Sequence, residues 1–584
     1  MIKKNYNMKE LLEIKKNLKK DFSNLKTIKV ALLGDTATQF LTQALRGLGY
    51  DSGFNIDIWE ADFDQIERQV YDLSSELYEF NPGIVIVFQS SHKLLSKYNK
   101  TKPDEHLLFA SNELDKIQNI YSNLVSNLDA KIIFYNYTEI DDSVFGNYAN
   151  KTESSFLFQL RKLNYELMSL SSKIKNLYLS DLSSIQNQVG KLIFFQPTIY
   201  INTEMVLSID VIPRVASNTI DLINTFNGKI KKCIILDLDN TTWGGIIGDD
   251  GVENIQLGSL GIGKAFTEFQ YWVKKLKHRG IIVAVCSKNT ESVAKEPFEN
   301  HPDMVLRLED ISVFRANWEN KADNIRQIQS ILKIGFDSMV FIDDNPFERN
   351  IVRENIPEIC VPELPKDPAD YLEYLYELNL FETVSFSNED SERTKLYQIE
   401  AERAKVYQKF TNEDDFLENL EMLSDVQVFN KFNTPRIAQL SQRSNQFNLR
   451  TVRYTEADIE RISSSNDYAT FAYTLEDKFG DNGLICVIIL HKEDQKTLFI
   501  NTWFMSCRVL KRGMENFVLN TIVQFANENG FTNIKGEYVF TLKNNMVKDH
   551  YARLGFKRNT TFWDLDLESY KPKKCYINKT EPTR

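Results

Sequence analysis

Two aspartates, Asp237 and Asp239, follow directly on the apolar run CIIL in the stretch CIILDLDNTT. Such a run reads as a strand of a parallel sheet, and the carboxyl ends of these strands are where helix-covered sheets hold their ligands. Two carboxylates spaced by two residues at that point can be aimed around one phosphate. One attacks phosphorus, while the other gives and later removes a proton at the leaving oxygen. Aspartate at a strand end is also a common cap and turn former, so the pair alone decides little. Three later segments supply what such chemistry still lacks. The run IIVAVC ends in Ser287-Lys288-Asn289, a hydroxyl and backbone donors at a helix start that suit a phosphate oxygen. The helix opened by NWENK brings the cation of Lys321, which by itself reads as solvated surface. The run MVFI ends in Asp343-Asp344, hard oxygen ligands of the kind magnesium prefers.

To hold these groups together the chain needs strands alternating with helices. CIILDLD, IIVAVCS and MVFIDD form such a series, which ends near CVPEL around residue 364, with helical stretches over residues 263–279, 292–299 and 322–333. An earlier series, from residue 28 to about residue 196, consists of IKVALL, NIDIW, IVIVF, KIIFY and NLYLSD, separated by helical patterns such as residues 63–80. The charge-rich SERTKLYQIEAERAKVYQKF predicts an exposed connecting helix pair. After it, ATFAYTLED, LICVIILHK and TLFINTWFMS read as antiparallel strands, followed by a helix over residues 514–527 and the strand IKGEYV. At 584 residues the chain needs several cores, at roughly 150 residues per domain. The expected class is α/β and multidomain: a parallel-sheet domain over residues 1–210, a doubly wound domain over 211–374, a helical bridge over 375–421 and an α+β domain over 422–584.

The formal charge of −11 speaks against a nucleic-acid partner. The N-terminal MIKKNYNMKELLEIKKNLKK is a charged amphipathic helix without the apolar core of a signal peptide, and no run reaches about 18 apolar residues. The expectation is a cytoplasmic protein without a membrane partner. Cysteines at 233, 286, 360, 486, 507 and 575 show no CxxC spacing, which speaks against a disulfide framework or structural zinc. After Asn240 the insert TTWGGIIGDDGVENIQLG is a short glycine-rich flap, too small for a separate cap over the site. An open site admits a phosphate presented on a bulky carrier or by a partner domain.

In order and position these features resemble the haloacid dehalogenase (HAD) superfamily. The resemblance implies that Asp237 is the nucleophile that becomes an aspartyl phosphate and Asp239 the general acid and base. It further implies that Ser287 and Lys321 hold the phosphoryl oxygens, and that Asp343 binds Mg2+ with Asp237 and the backbone carbonyl of Asp239, Asp344 standing beside them. The wording LDLDNTTWGGIIGDDG, CSKN, NWENK, FIDDNPFERN and IAQLSQRSNQFNLRTVRY is similar to the FkbH-like family, over residues 28 to about 560. That resemblance implies a phosphatase and acyl transferase acting on a small acyl phosphate such as 1,3-bisphosphoglycerate. The glyceryl-type acyl group would pass to the phosphopantetheine thiol of an acyl carrier protein or a coenzyme A thiol, in secondary-metabolite or surface-polysaccharide biosynthesis. Thr242 departs from the leucine expected after DLDNT, beside the nucleophile, which leaves the substrate open. The rival readings are a plain phosphatase acting on a carrier-bound or sugar phosphate and a scaffold that only recruits a carrier protein.

The first domain resembles the SGNH hydrolase (flavodoxin-like) fold, with Gly34-Asp35-Thr36 where that fold has Gly-Asp-Ser. The residue three beyond Asp181 is Ser184 and not histidine, so Thr36 lacks a base and the domain reads as degenerate. The last domain resembles the N-acetyltransferase (GNAT) fold in RVLKRG ahead of a helix and YARLGF after a later one. There the resemblance implies that Arg508, Arg512 and Gly513 wrap the phosphates of coenzyme A or a phosphopantetheine arm, with Lys511 where the loop normally has glycine. A thioester intermediate needs a thiolate. Cys286 is the best-placed candidate and Cys507, beside Arg508, the second, against the reading of Cys286 as small apolar filler.

Overall fold

In the computed structural model, which describes residues 8–386, 393–407, 410–541 and 543–580, each apolar run of the first series becomes a strand. β1 (Lys26–Gly34), β2 (Phe54–Glu60), β3 (Ile84–Phe88), β4 (Lys131–Tyr135) and β5 (Leu177–Ser180) form a parallel sheet in the order β2-β1-β3-β4-β5. The central strand β3 is buried along its whole length, as a strand covered by helices on both faces must be. The helix predicted over residues 63–80 is two helices, Ile66–Tyr71 and Glu76–Phe80. Asp72 separates them: its carboxylate accepts the N–H of Ser74 at 2.9 Å and its hydroxyl at 2.6 Å, a local turn that competes with helical bonding. Of the predicted N-terminal helix, Met8–Lys16 is helical, and residues 1–7 lie outside the described ones. The chain divides into two compact units, one up to Asn224 and one from Thr225 onward.

In the second unit β6 (Cys233–Leu236), β7 (Ile282–Ser287), β8 (Val313–Ala316) and β9 (Met339–Ile342) make a parallel sheet in the order β8-β7-β6-β9. The helices Gly261–His278, Glu291–Asn300 and Lys321–Leu332 stand within a residue or two of the periodic stretches. CVPEL contributes only a single bridge, Val340 to Cys360, because Pro362 and Pro365 have no N–H with which to extend a ladder. β8 has no counterpart among the predicted strands. It is a four-residue edge with Arg315 inside it, too short and polar to stand out.

β10 (Met422–Ser424), β11 (Val426–Gln427), β12 (Tyr468–Asp477), β13 (Gly480–Lys492), β14 (Thr497–Met505), β15 (Asn533–Glu537), β16 (Lys557–Asn559), β17 (Phe562–Asp566) and β18 (Ile577–Lys579) share one sheet. It is mixed: β14 and β15 run parallel because the helix Met514–Glu528 carries the chain back between them. These two strands pair only over residues 497–500 and 533–536 and then part. Residues 447–449 of the RSNQFNLR segment fill the gap. Met505 N–H donates to Phe447 O at 3.0 Å, Leu449 N–H to Trp503 O at 3.1 Å, and Val539 N–H to Leu449 O at 2.9 Å. The backbone groups exposed where the strands part are thus taken up by the chain itself.

The bridge is not exposed as its charge predicts. In the helix Arg393–Tyr407, Tyr397 packs into the apolar cluster that holds Cys233 and Ile325, and Glu400 and Arg403 are buried. Arg403 and Arg512 both pair with Glu400, and they lie 2.9 and 3.0 Å from Asp477. Two cations and two carboxylates compensate one another, which is what lets a charge-rich helix be buried. Residues 387–392 and 408–409 of the bridge lie outside the described ones. The mixed-sheet domain meets the parallel sheet at the amino ends of β6 and β9, where Lys232 Nζ donates to Arg443 O at 2.5 Å and Lys543 pairs with Asp337. The carboxyl ends of these four-residue strands lie about 13 Å further on, at about 3.3 Å per residue. Among the described residues no helix is long and apolar enough to cross a membrane.

Candidate active site

Pairing of β6 with β9 runs one residue past the strand, Asp237 N–H donating to Ile342 O at 2.9 Å, so Asp237 leaves the sheet beside Asp343. Between the two carboxylates lies the ammonium of Lys321, 2.9 Å from Asp237 Oδ1 and 2.6 Å from Asp343 Oδ2. Lys321 opens the helix Lys321–Leu332, whose start is set by Asn320 Oδ1 accepting the N–H of Ala322 at 2.8 Å. All three side chains are buried. Burial works against the charge of Lys321, but the carboxylates of Asp237 and Asp343 outweigh it and hold the ammonium above the ordinary lysine range. Burial, and after it the Asp237 charge, push the Asp343 carboxyl up to about 7 against the pull of Lys321.

Asp344 is raised by burial first and by Asp237 second. Thr241 ties it down: the hydroxyl donates to Asp344 Oδ1 at 3.2 Å and accepts the Asp344 N–H at 3.0 Å. Arg349 donates to the carbonyls of Asp343 and Asp344 at 2.8 and 2.6 Å. One oxygen from each of Asp237, Asp343 and Asp344 lies within 4.8 Å of the others, three hard donors gathered at one point.

Beyond Asp237 the chain turns sharply at Asn240, whose φ of +54° is a left-handed conformation asparagine tolerates. Thr242 pins this turn, its hydroxyl donating to Asp237 O at 2.6 Å, and it is fully buried. Its departure from leucine is therefore met by the backbone of the loop. The Asp239 carboxylate accepts three bonds: Oδ1 from Trp243 Nε1 and Ile247 N–H, each at 3.0 Å, and Oδ2 from Asn289 Nδ2 at 2.9 Å. Asn289 also donates to Ser287 Oγ at 3.2 Å, so one amide links the two sides of the site. Sequence reasoning passed over Asn289, Trp243 and Thr241; the only local sign of Asn289 was its place in CSKN. Lys288 is turned aside to Glu348, at 2.6 Å. The flap folds back on itself through Gly244 and Gln256, where a Cβ on Gly244 would come within 2.6 Å of Gln256 Oε1. Ile246, Trp318 and Phe347, on the segments that carry Asp239, Lys321 and Asp343, are exposed.

The other expected groups are placed differently. Cys286 packs with Cys233, Ala284 and Phe341 in the apolar core, and burial pushes its thiol well up. An acyl-accepting thiol needs access and a lowered pKa, and Cys286 has neither. Arg512 is spent in the buried ion cluster, and Arg508 is buried, donating to Ser506 Oγ at 3.3 Å and Asn482 O at 3.4 Å. Gly513, at φ +76°, opens the helix Met514–Glu528, and Lys511 takes a left-handed φ of +64° where glycine was expected. The guanidinium groups expected to wrap a phosphate thus point into the protein. In the first unit Thr36 Oγ1 donates to Glu204 O at 2.5 Å and accepts the Val206 N–H at 3.1 Å, while Asp181 caps a helix through Ser184 N–H at 2.9 Å.

Residues 29–224 match the family model described as FkbH, N-terminal domain. The crystal structure of the N-terminal part of BF1531 from Bacteroides fragilis, described as containing a phosphatase domain complexed with Mg, is 56% identical. The match covers 65% of this chain and 100% of that one, at a TM-score of 0.63. This chain belongs to the FkbH-like family. The FkbH-like protein is accordingly an α/β multidomain enzyme, and it carries the phosphatase domain of that relative. Its C-terminal part is similar to the ribosomal-protein-S18-alanine N-acetyltransferase of Escherichia coli, at 12% identity over 25% of this chain and 94% of that one, with a TM-score of 0.20. It is likewise similar to Ard1 from Thermoplasma volcanium, at 13% identity over 24% and 94%, with a TM-score of 0.20. No curated protein matches the FkbH-like chain.

Proposed function

We propose that this FkbH-like enzyme is a magnesium-dependent phosphatase and acyl transferase that loads a glyceryl-type acyl group from 1,3-bisphosphoglycerate onto an acyl carrier protein. The observation that carries the phosphoryl half is the buried set of Asp237, Lys321 and Asp343 at the mouth of β6 and β9. Asp237 attacks phosphorus, the bond from phosphorus to the leaving oxygen breaks, and Asp239 delivers a proton to that oxygen. Water then attacks the aspartyl phosphate with Asp239 taking its proton, while Ser287 and Lys321 hold the phosphoryl oxygens. The gathered oxygens of Asp237, Asp343 and Asp344 fit a hard divalent cation, and these side chains with the backbone carbonyl of Asp239 would hold it. Bound magnesium supplies positive charge against the nucleophile and the phosphoryl oxygens.

Conservation of atoms divides the reaction. If Asp237 attacked the phosphorus of the acyl phosphate, the acyl group would leave as an unactivated carboxylate. Asp237 therefore works on the ester phosphate, and the carrier thiol attacks the acyl carbon, with inorganic phosphate as leaving group. The short flap and the exposed Trp318 and Phe347 suit a substrate tethered to a bulky partner. A plain phosphatase acting on a carrier-bound or sugar phosphate is the second reading. It is favoured by the burial of Cys286 and by the docking of the mixed-sheet domain at the amino ends of the strands, away from Asp237. Intact mass of the carrier after incubation with magnesium and 1,3-bisphosphoglycerate separates the two. A glyceryl adduct supports transfer; phosphate release with unmodified carrier supports hydrolysis alone.

A further inference from the structure

Lys288 stands between Ser287 and Asn289 at the mouth of β7, yet its side chain reaches for Glu348. The ammonium donates to Glu348 Oε1 at 2.6 Å, a bond between residues 60 apart in the chain. Glu348 sits in the first turn of the helix Pro346–Asn355, which follows β9. In the order β8-β7-β6-β9 the strand β6 lies between β7 and β9, so this ion pair ties together the two segments that flank Asp237. Glu348 stands with the carboxylates of the site: burial, and then the charges of Asp237, Asp343 and Glu348, push the Cys286 thiol up against the pull of Lys321. The Glu348 side chain is 8% exposed and that of Lys288 36%. The second carboxylate oxygen, Glu348 Oε2, is buried and accepts no hydrogen bond among the described residues. A carboxylate buried with one oxygen unsatisfied costs folding free energy that a partly exposed cation offsets poorly. What the pair does supply is fixed geometry. The turn that carries Glu348 is itself held: Asn345 Oδ1 accepts the Phe347 N–H at 2.9 Å, and Arg349 donates to the carbonyls of Asp343 and Asp344 at 2.8 and 2.6 Å. On the other side of the pair, Asn289 Nδ2 donates to Asp239 Oδ2 at 2.9 Å and to Ser287 Oγ at 3.2 Å.

We propose that Glu348 is a positioning residue of the phosphoryl site, which through Lys288 holds residues 287–289 so that Asn289 keeps Asp239 aimed at the leaving oxygen. This role rests on Asp237 as nucleophile and Asp239 as proton donor. Full-length Glu348→Leu, Glu348→Gln, Lys288→Met and Asp237→Asn are assayed for phosphate release with magnesium on two substrates. Glycerol 3-phosphate needs a proton on its leaving oxygen, and 4-nitrophenyl phosphate does not. The quantity compared is kcat/KM, which ends at formation of the aspartyl phosphate. Glu348→Leu should lower it about ten-fold on glycerol 3-phosphate and about two-fold on 4-nitrophenyl phosphate, as a proton donor held out of line would. Glu348→Gln keeps an oxygen for Lys288 and should recover most of that loss. Lys288→Met should shift the ratio between the substrates by a similar factor, and the double variant Lys288→Met/Glu348→Leu no further, since each removes the same bond. Lys288→Met changes the partly exposed end of the pair and carries the test should Glu348→Leu fail to fold. Equal losses on both substrates, an unmoved ratio in folded Glu348→Leu or Lys288→Met, or a Glu348→Gln as impaired as Glu348→Leu overturns the proposal. Turnover near wild type in Asp237→Asn would overturn the reading beneath it as well; loss of turnover there with an unmoved ratio overturns the proposal alone.

Discussion

Asn289→Ala tests whether Asp239 is the proton donor. In the wild type Asn289 Nδ2 lies 2.9 Å from Asp239 Oδ2, while Trp243 and Ile247 hold only Oδ1. Removing the amide leaves the carboxylate anchored by one oxygen and free to swing at the other. A hydrogen bond to a charged group contributes roughly 1.5–3 kcal/mol. Because two donors remain, the lower figure applies, and about 1.4 kcal/mol corresponds to a ten-fold change in rate. An alkyl phosphate needs a proton on its leaving oxygen, whereas 4-nitrophenolate leaves without one. The variant should therefore lose about ten-fold in kcat/KM, which ends at formation of the aspartyl phosphate, on glycerol 3-phosphate, by that same conversion, and much less on 4-nitrophenyl phosphate. Asn289 also touches Ser287 Oγ at 3.2 Å, so Ser287→Ala is the control, expected to slow both substrates alike. Equal losses of kcat/KM on the two substrates in Asn289→Ala would refute the proton-donor role and leave Asn289 as support for Ser287 alone.

Asp237→Asn should bring phosphate release to background, since an amide does not attack phosphorus; turnover near wild type in a phosphate-release assay removes Asp237 from the nucleophile's place. Lys321→Met takes the shared cation from between Asp237 and Asp343 and should cost about 3–5 kcal/mol in urea unfolding without magnesium, less with it, and about 10²–10³ in kcat. Arg512→Met leaves Glu400 and Asp477 one ion-paired guanidinium, Arg403, and should also cost about 3–5 kcal/mol; a selective loss of carrier-dependent turnover at full stability would instead make Arg512 a ligand contact. Burial raises the Asp35 carboxyl to about 7, partly offset by the Ser90 N–H bonds. A raised folded value means that its contribution to stability is full below the unfolded value, near pH 4, and is lost as pH rises through about 7. Unfolding of the first unit should thus become easier between about pH 4 and 7, with Asp35→Asn flattening that slope; identical slopes in the two proteins would exclude Asp35 as the source.

Asp237, Asp239, Ser287, Lys321 and Asp343 could be picked out from the sequence because each stands where a periodic run stops, and strand mouths and helix starts are where side chains and free backbone donors converge. The strands of both parallel sheets stood out for the same reason, since burial on two faces demands unbroken apolar runs. The short edge β8, with only one neighbouring strand and an arginine inside, carried no such run. Asn289 could not be read as a partner of Asp239, because their bond spans 50 residues and depends on how far the flap folds back. The GNAT resemblance made Arg512 a phosphate ligand, yet its partner Glu400 stands 112 residues away on the bridge helix. The exposed look of that helix was misleading on the same account: charge density along a segment says nothing about whether opposite charges meet it from elsewhere.

The sequence by itself determined that Asp237, Asp239, Ser287 and Asp343 stand at the ends of parallel strands and Lys321 at the start of a helix, because these places follow from local periodicity and from chain order. Only the tertiary structure decided that Lys321 sits between two carboxylates, that residues 447–449 close the gap between β14 and β15, and that the mixed-sheet domain docks at the amino ends of the strands. Each of these rests on contacts between residues far apart in the chain, where the free energy of pairing depends on burial and geometry that no local pattern encodes.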